Sequence, residues 1–266
     1  MDTVRSKDGT TIAFDKQGAG PALILVDGAM STRSSGSKPE LARLLAEHLS
    51  VYSYDRRGRG DSGDTKPYAV KREIEDIDAL IDEAGGSAFL FGQSSGGCLA
   101  MEASVELGDK VKKLAMYEAP YNDDPAAQKV WGEYIKNLTE ALASNRKGDA
   151  VALFMALVGL PAARIEEVRH APFWAGMEAV APTLAYDHTA IMGEDGSIPA
   201  ERAARVHVPT LVMAGGDGVP FMRETAKTLS TTIPGATLMT LEGQTHEVQA
   251  EALAPVLVEF FDNSES

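Results

Sequence analysis

Phe91-Gly92-Gln93-Ser94-Ser95-Gly96-Gly97 closes an apolar, strand-like run that begins at Ser87-Ala88-Phe89-Leu90, and a helical pattern from Cys98 to Leu107 follows at once. Gly-x-Ser-x-Gly at such a junction predicts a strand, a sharp turn and a helix, with Ser94 at the apex. The apex residue of such a turn is forced toward a strained backbone conformation. Glycines two positions to either side remove side chains that would collide where strand and helix pass closely. The hydroxyl is then held clear of both elements, above the helix N-terminus, where developing negative charge is favoured. Ser94 is the candidate nucleophile.

The surrounding pattern supports that placement. Thr3 to Ser6 and Thr11 to Phe14 are short alternating runs joined by Lys7-Asp8-Gly9, which reads as a hairpin. Unbroken apolar runs follow at Ala22–Val26, Val51–Tyr54, Ala88–Phe91, Val111–Tyr117, Thr210–Ala214 and Ala236–Leu241. Runs of this kind belong to strands buried on both faces. Amphipathic helical stretches separate most of them: Pro39–His48, Val70–Glu83, Gly97–Leu107, Pro220–Thr231 and Val248–Phe261. Strands alternating with helices imply a mostly parallel sheet flanked by helices, an α/β fold whose chemistry sits at the strands' carboxyl ends.

One interval breaks the alternation. From Tyr121 to about Ala204 only helical patterns occur, interrupted by Asn145, Gly159-Leu160-Pro161 and Ala181-Pro182. The domain reading is a core of residues 1–120 and 205–262 with a helical lid insertion over 121–204. The insertion holds Trp131, Phe154, Met155, Phe173, Trp174, Met177 and Met192. Singly these read as lid core, and together they suggest an apolar or mixed pocket. Asn263 to Ser266 reads as a loose tail.

Composition narrows the partners. Among 266 residues, 25 Lys and Arg stand against 39 Asp and Glu, a net charge of −14. Such a surface repels phosphate backbones and anionic lipids, so nucleic acid and membrane surfaces are not expected partners. Cys98 is the sole cysteine, which excludes an internal disulfide and fits a reducing compartment. Met1 to Gln17 is polar without an apolar signal core, so the expected location is cytoplasmic. The spacing of oligomer contacts is not legible.

A serine attacks only when an oriented base takes its proton. Of five histidines, His48 closes a helical stretch, His207 leads into a strand, and His170 and His188 belong to the insertion. His246 lies in Glu242-Gly243-Gln244-Thr245-His246, a loop after the last strand that opens at the same sheet edge as Ser94. His246 is the candidate base.

These landmarks together resemble the α/β-hydrolase superfamily. The resemblance rests on Leu23-Ile24-Leu25-Val26-Asp27-Gly28-Ala29, on Tyr54-Asp55-Arg56-Arg57-Gly58-Arg59-Gly60-Asp61-Ser62-Gly63, on the Ser94 elbow and on the His246 loop, in that order. It covers nearly the whole chain outside the insertion and implies the α/β-hydrolase fold. The charges of the second motif read as structural. By resemblance, the N–H of Ser95 and that of Gly28 or Ala29 hold the oxyanion. The family's usual His-Gly-x is Asp27-Gly28-Ala29 here, and backbone donors survive that change. Asp27 places a carboxylate near the site, which would oppose negative charge if it pointed inward; the favoured reading is a turn residue facing away.

The third member of the triad has two candidates. Most family members place it after the strand that follows the lid, where this chain has Gly215-Gly216-Asp217-Gly218. A minority, including many haloalkane dehalogenases and the zearalenone lactonases, end the strand before the lid in a glutamate. Here that strand runs Ala115-Met116-Tyr117-Glu118-Ala119-Pro120. A charge ending so apolar a strand needs a partner, and His246 would be one; Glu118 is favoured over Asp217. The zearalenone lactonases also share the Asp-Gly loop and the Gly-x-Ser-Ser-Gly elbow.

The resulting expectation is a cofactor-free serine hydrolase acting on a small ester or lactone through Ser94, His246 and Glu118 or Asp217. No His-Glu-x-x-His, paired cysteine or other metal-ligand spacing occurs, and no phosphate-loop lysine follows the elbow. Serine at the elbow argues against dehalogenase and epoxide hydrolase chemistry, which uses aspartate there. Alternatives are a C–C hydrolase, perhydrolase or lyase on the same scaffold, and a non-catalytic ligand-binding relative.

Overall fold

The computed structural model describes residues 1–36 and 38–262; Asn263 to Ser266 lie outside the described residues. Eight strands form one sheet: β1 (Asp2–Arg5), β2 (Thr11–Gln17), β3 (Ala22–Val26), β4 (Ser50–Tyr54), β5 (Ala88–Gln93), β6 (Val111–Tyr117), β7 (Thr210–Gly215) and β8 (Thr237–Leu241). Their spatial order is β1-β2-β4-β3-β5-β6-β7-β8. The β1–β2 and β2–β4 pairs are antiparallel, and every pair from β4 to β8 is parallel.

The apolar runs are continuous because both sheet faces are covered. Along β3, Ile24 and Val26 enter one core while Leu23 and Leu25 enter the other, as the two-residue period of a strand requires. The first core is closed by α2 (Val70–Glu83), α3 (Ser95–Leu107) and α9 (Pro220–Thr232), the second by α1 (Lys38–Leu45) and α10 (Ala250–Asp262). Helix α2 shows why: Ile74, Ile77, Leu80 and Ile81 fall on one face and are all buried. Burying four such side chains contributes roughly 1.5–3 kcal/mol each. The helix ends differ from the sequence pattern by a few residues. Helix α3 begins at Ser95, two positions earlier than the pattern suggests, because the helix starts directly at the elbow.

Between β6 and β7 the chain forms α4 (Pro125–Ala143), α5 (Lys147–Leu157), α6 (Ala162–Val168), α7 (Trp174–Val180), a π-helical turn at Ala185–Ile191 and α8 (Ala200–Ala203). Asp124 caps α4 by accepting from the N–H groups of Ala126 and Ala127. Asn145, in the left-handed region at φ 54°, reverses the chain before α5. The insertion has a core of its own, including Leu138, Val151, Met155, Trp174 and Leu184, and Ala29 and Met30 from the loop after β3 pack against it. Met155, Trp174 and Met192 are buried, whereas Phe173 is exposed and serves no core. Among the described residues no helix is long and apolar enough to cross a membrane.

The strand order decides where a ligand can bind. The chain leaves β3 toward β4 on one side and returns to β5 on the other, so β3 and β5 are neighbours whose following loops diverge. A crevice opens at that switch, outside the carboxyl ends of the two strands. Gly28 follows β3 and Ser94 follows β5.

Candidate active site

Ser94 sits between β5 and α3 at φ 57° and ψ −134°. A non-glycine residue held there is strained by about 1–3 kcal/mol, and the surroundings must over-determine it. They do so through absent side chains. A Cβ on Gly92 would lie 2.4 Å from the Gly96 carbonyl oxygen, and one on Gly96 would lie 2.1 Å from that of Val26. Strand, helix and the start of the Asp27 loop therefore touch backbone to backbone. Gly28 is less tightly held but adjoins the serine itself, since a Cβ there would come 3.0 Å from the Ser94 Cβ and 3.5 Å from its Oγ.

Glu118, after β6, and His246, after β8, meet each other. Glu118 Oε2 lies 2.7 Å from His246 Nδ1. Its other oxygen, Oε1, accepts from the Gly215 N–H at 2.9 Å. The Glu118 side chain is fully enclosed, while that of His246 is 34% exposed. A carboxylate accepting at Nδ1 puts the proton of the neutral ring there and leaves Nε2 with a free lone pair. The His246 loop is also tied to the elbow: Gln93, the residue before Ser94, donates Nε2–H to the His246 carbonyl at 2.8 Å. Tyr117 Oη donates to the Thr245 carbonyl. Glu118 too has a positive φ, 48°, and Met30 in the loop after β3 has 62°. Three of the four non-glycine residues with positive φ among the described residues thus follow β3, β5 and β6, whose carboxyl ends carry the candidate site.

Asp217 is not brought to His246. It is exposed, and its N–H donates to the Gln244 carbonyl at 2.9 Å. Gly218, the next residue, leaves room for the other carboxylate: a Cβ there would stand 2.6 Å from Glu118 Oε1. The last residue of β7, Gly215, supplies an N–H donor to Glu118, and Gly218 in the loop after it packs against the same carboxylate.

Asp27, the residue after β3, takes its partner from α1. It is buried, with Oδ1 3.2 Å from Lys38 Nζ. Burial raises its pKa to about 6, opposed by the Lys38 ammonium. Asp55, Arg56, Arg57 and Arg59 of the Asp55–Gly63 stretch form a buried charge cluster. Arg56 is bidentate on Glu73, with both contacts at 2.7 Å, and Arg57 is bidentate on Asp76 at 2.7 and 2.8 Å. Arg56 Nη1 also donates to Asp187 Oδ1 at 2.6 Å, and Arg59 Nη2 donates to Asp187 Oδ2. Nothing in the local sequence marks Asp187. The unpaired excess of arginine in the Asp55–Gly63 motif was the available signal that a distant acid must answer it.

His188, beside Asp187, is buried with Nδ1 2.7 Å from Tyr134 Oη. Burial lowers its pKa to about 4, despite the neighbouring Asp187 carboxylate. His48, His170 and His207 are exposed. Among the described residues no group of three or more His, Cys, Asp or Glu side chains is placed to hold a metal ion.

The family model described as "Alpha/beta hydrolase family" matches residues 28–257. The chain belongs to the α/β-hydrolase family. An α/β-hydrolase of known structure from Sphaerobacter thermophilus is 50% identical, covers 98% of this chain and 100% of its own, and superposes with a TM-score of 0.84. A Haemophilus influenzae protein named, provisionally, as an esterase/lipase is 26% identical over 236 residues, 87% of this chain and 78% of its own. The enol-lactonase of Burkholderia xenovorans LB400 shares the α/β-hydrolase fold at a TM-score of 0.71 and 21% identity, covering 98% of this chain and 100% of its own.

Proposed function

We propose that the protein is a serine hydrolase that cleaves an ester or lactone by way of an acyl-enzyme. The observation that carries this reading is the 2.7 Å contact between Glu118 and His246 Nδ1, on a loop tied to the elbow of Ser94. In the proposed cycle, His246 Nε2 takes the Ser94 hydroxyl proton as Oγ attacks the substrate carbonyl. The oxyanion rests on the N–H groups of Ser95 and of Gly28 or Ala29. Collapse of the tetrahedral species expels the alcohol, which His246 protonates; in a lactone the alcohol stays tethered to the acyl group. His246 then deprotonates water for attack on the acyl-enzyme, and Ser94 recovers its proton.

Glu118 acts in this scheme by holding the Nδ1–H tautomer and stabilising the imidazolium, and Asp217 takes no part. Ala29 and Met30, partly buried against the insertion, put apolar side chains at the loop of the candidate oxyanion donors, which favours a substrate with an apolar acyl or alcohol group. The names of the esterase/lipase and enol-lactonase relatives agree with this bond type.

A fluorophosphonate probe tests the reading directly. Wild-type protein should be labelled stoichiometrically and Ser94→Ala not at all. A panel of p-nitrophenyl esters and simple lactones should show turnover that Ser94→Ala abolishes. A folded wild type that takes no label would end the serine-hydrolase assignment.

A further inference from the structure

The buried arginines of the Asp55–Gly63 motif do more than pair with acids. Arg56 Nη1 donates to the carbonyl of Asp27 at 3.0 Å, and Arg59 Nη1 donates to the carbonyl of Gly28 at 2.6 Å. Each carbonyl shares a peptide unit with one candidate oxyanion donor. The Asp27 carbonyl belongs to the unit that carries the Gly28 N–H, and the Gly28 carbonyl to the unit that carries the Ala29 N–H. A trans peptide is planar, so fixing the C=O direction fixes the opposed N–H direction. A guanidinium on the carbonyl also polarises the unit and strengthens its N–H as a donor.

Both arginines converge on one carboxylate. Asp187 Oδ1 accepts from Arg56 and Oδ2 accepts from Arg59. Oδ1 also accepts from Ser95 Oγ at 2.8 Å, and Ser95 N–H is the remaining candidate donor. All four residues are buried, at 1% exposure or less. Arg56 has Glu73 as a second counter-ion, but Asp187 is the acid bonded to Arg59. Asp187 comes from the π-helical turn of the insertion, not from the hydrolase core.

We propose that Asp187 is a positioning residue for the oxyanion hole: through Arg56 and Arg59 it sets the peptide units that carry the Gly28 and Ala29 N–H donors, and through the Ser95 hydroxyl it anchors the residue that carries the third. The proposal rests on the serine-hydrolase reading above. It makes the insertion a working part of the hole, so that disturbing its π-helical turn weakens transition-state stabilisation without touching Ser94, His246 or Glu118.

Phosphonylation by a fluorophosphonate places a phosphoryl oxygen in the same hole, and its kinetics separate binding (KI) from reaction (kinact). Asp187→Asn and Arg59→Met should each lower kinact by about 10- to 100-fold while KI stays within about threefold. The double variant should be no slower than the slower single one, because the residues act as a unit. Thermal melts report whether each variant is folded. Should neither charge variant fold, Ser95→Ala, which leaves both ion pairs in place, carries the test through a several-fold fall in kinact. Folded variants that react at the wild-type rate, or that lose only KI, would overturn the positioning role while leaving the serine hydrolase intact. A folded wild type that does not react at all removes both.

Discussion

Glu118 and His246, 128 residues apart in the chain, meet at 2.7 Å between Oε2 and Nδ1. The partnership depends on two separate pieces of backbone. Glu118 leaves β6 at φ 48°, which turns its side chain back along the sheet edge. The His246 loop is pinned from below by Gln93 and Tyr117. A carboxylate in this position has value only to a histidine whose tautomer matters, which is why its removal is the sharpest single test.

Glu118→Gln should reduce kcat for a p-nitrophenyl ester by about 10³–10⁴-fold, because the amide can donate to Nδ1 and so stabilise the wrong tautomer. Asp217→Asn should stay within about twofold of wild type, since that side chain is exposed. Steady-state kinetics on the two variants decide between the acids. A collapse in Asp217→Asn with normal turnover in Glu118→Gln would reverse the assignment.

Gly96→Ala should cost about 3 kcal/mol of stability by overpacking. Its Cβ would fall 2.1 Å from the Val26 carbonyl oxygen, a backbone atom that cannot swing aside. Urea denaturation should show a lower midpoint with the slope unchanged, and the folded fraction should label poorly because the elbow has shifted.

Arg57 offers a control for the charge cluster. It pairs with Asp76 and Asp8 and reaches neither the loop after β3 nor Asp187. Arg57→Met should destabilise by about 3–5 kcal/mol, leaving Asp76 buried without its partner. Activity per folded molecule should be unchanged. Burial already raises the Asp76 pKa to about 6 against the pull of Arg57, so the loss should be larger at pH 8 than at pH 5, where Asp76 is protonated in the variant. Melting curves at the two pH values measure it.

Asp27 should leave a pH signature in stability. Its pKa rises from 3.8 to about 6 on folding because burial penalises the carboxylate. Between those values the folded protein binds more protons than the unfolded chain, so this group makes stability fall as pH rises through the interval. Above about 6 both states are ionised and the effect is flat. Asp27→Asn lacks the titration. Its stability relative to wild type should therefore climb by roughly 1.4 kcal/mol per pH unit across that window and level off near neutrality. A constant difference across the range would contradict the burial effect.

Much of the site is legible before any coordinates. The strand-turn-helix at Ser94 is a local event, encoded by glycines at 92 and 96 and by the change of hydrophobic period on either side. The apolar runs likewise report strands covered on both faces, and the break in alternation after Tyr121 reports the helical insertion. Glu118 can be proposed from local sequence because a charge at the end of a buried strand demands an explanation. Choosing it over Asp217 cannot be completed that way, since both loops open at the same sheet edge. The choice depends on which carboxyl faces inward, and Glu118 does so with a positive φ, beside a Gly215 N–H that donates to it and a Gly218 that leaves room for it.

Local periodicity and turn chemistry thus carry the elements, their order and the Ser94 elbow, because these depend on residues near one another in the chain. The buried charges have no such signature. Arg56 and Arg59 announce only that acids must lie somewhere close. That the acid for Arg59 is Asp187, from the far end of the insertion, and that both arginines grip the carbonyls of Asp27 and Gly28, follows from how the π-helical turn meets the loops after β3 and β4. Low-dielectric burial makes an unanswered charge costly, but it does not say where along the chain the answer comes from. Only packing in three dimensions supplies that.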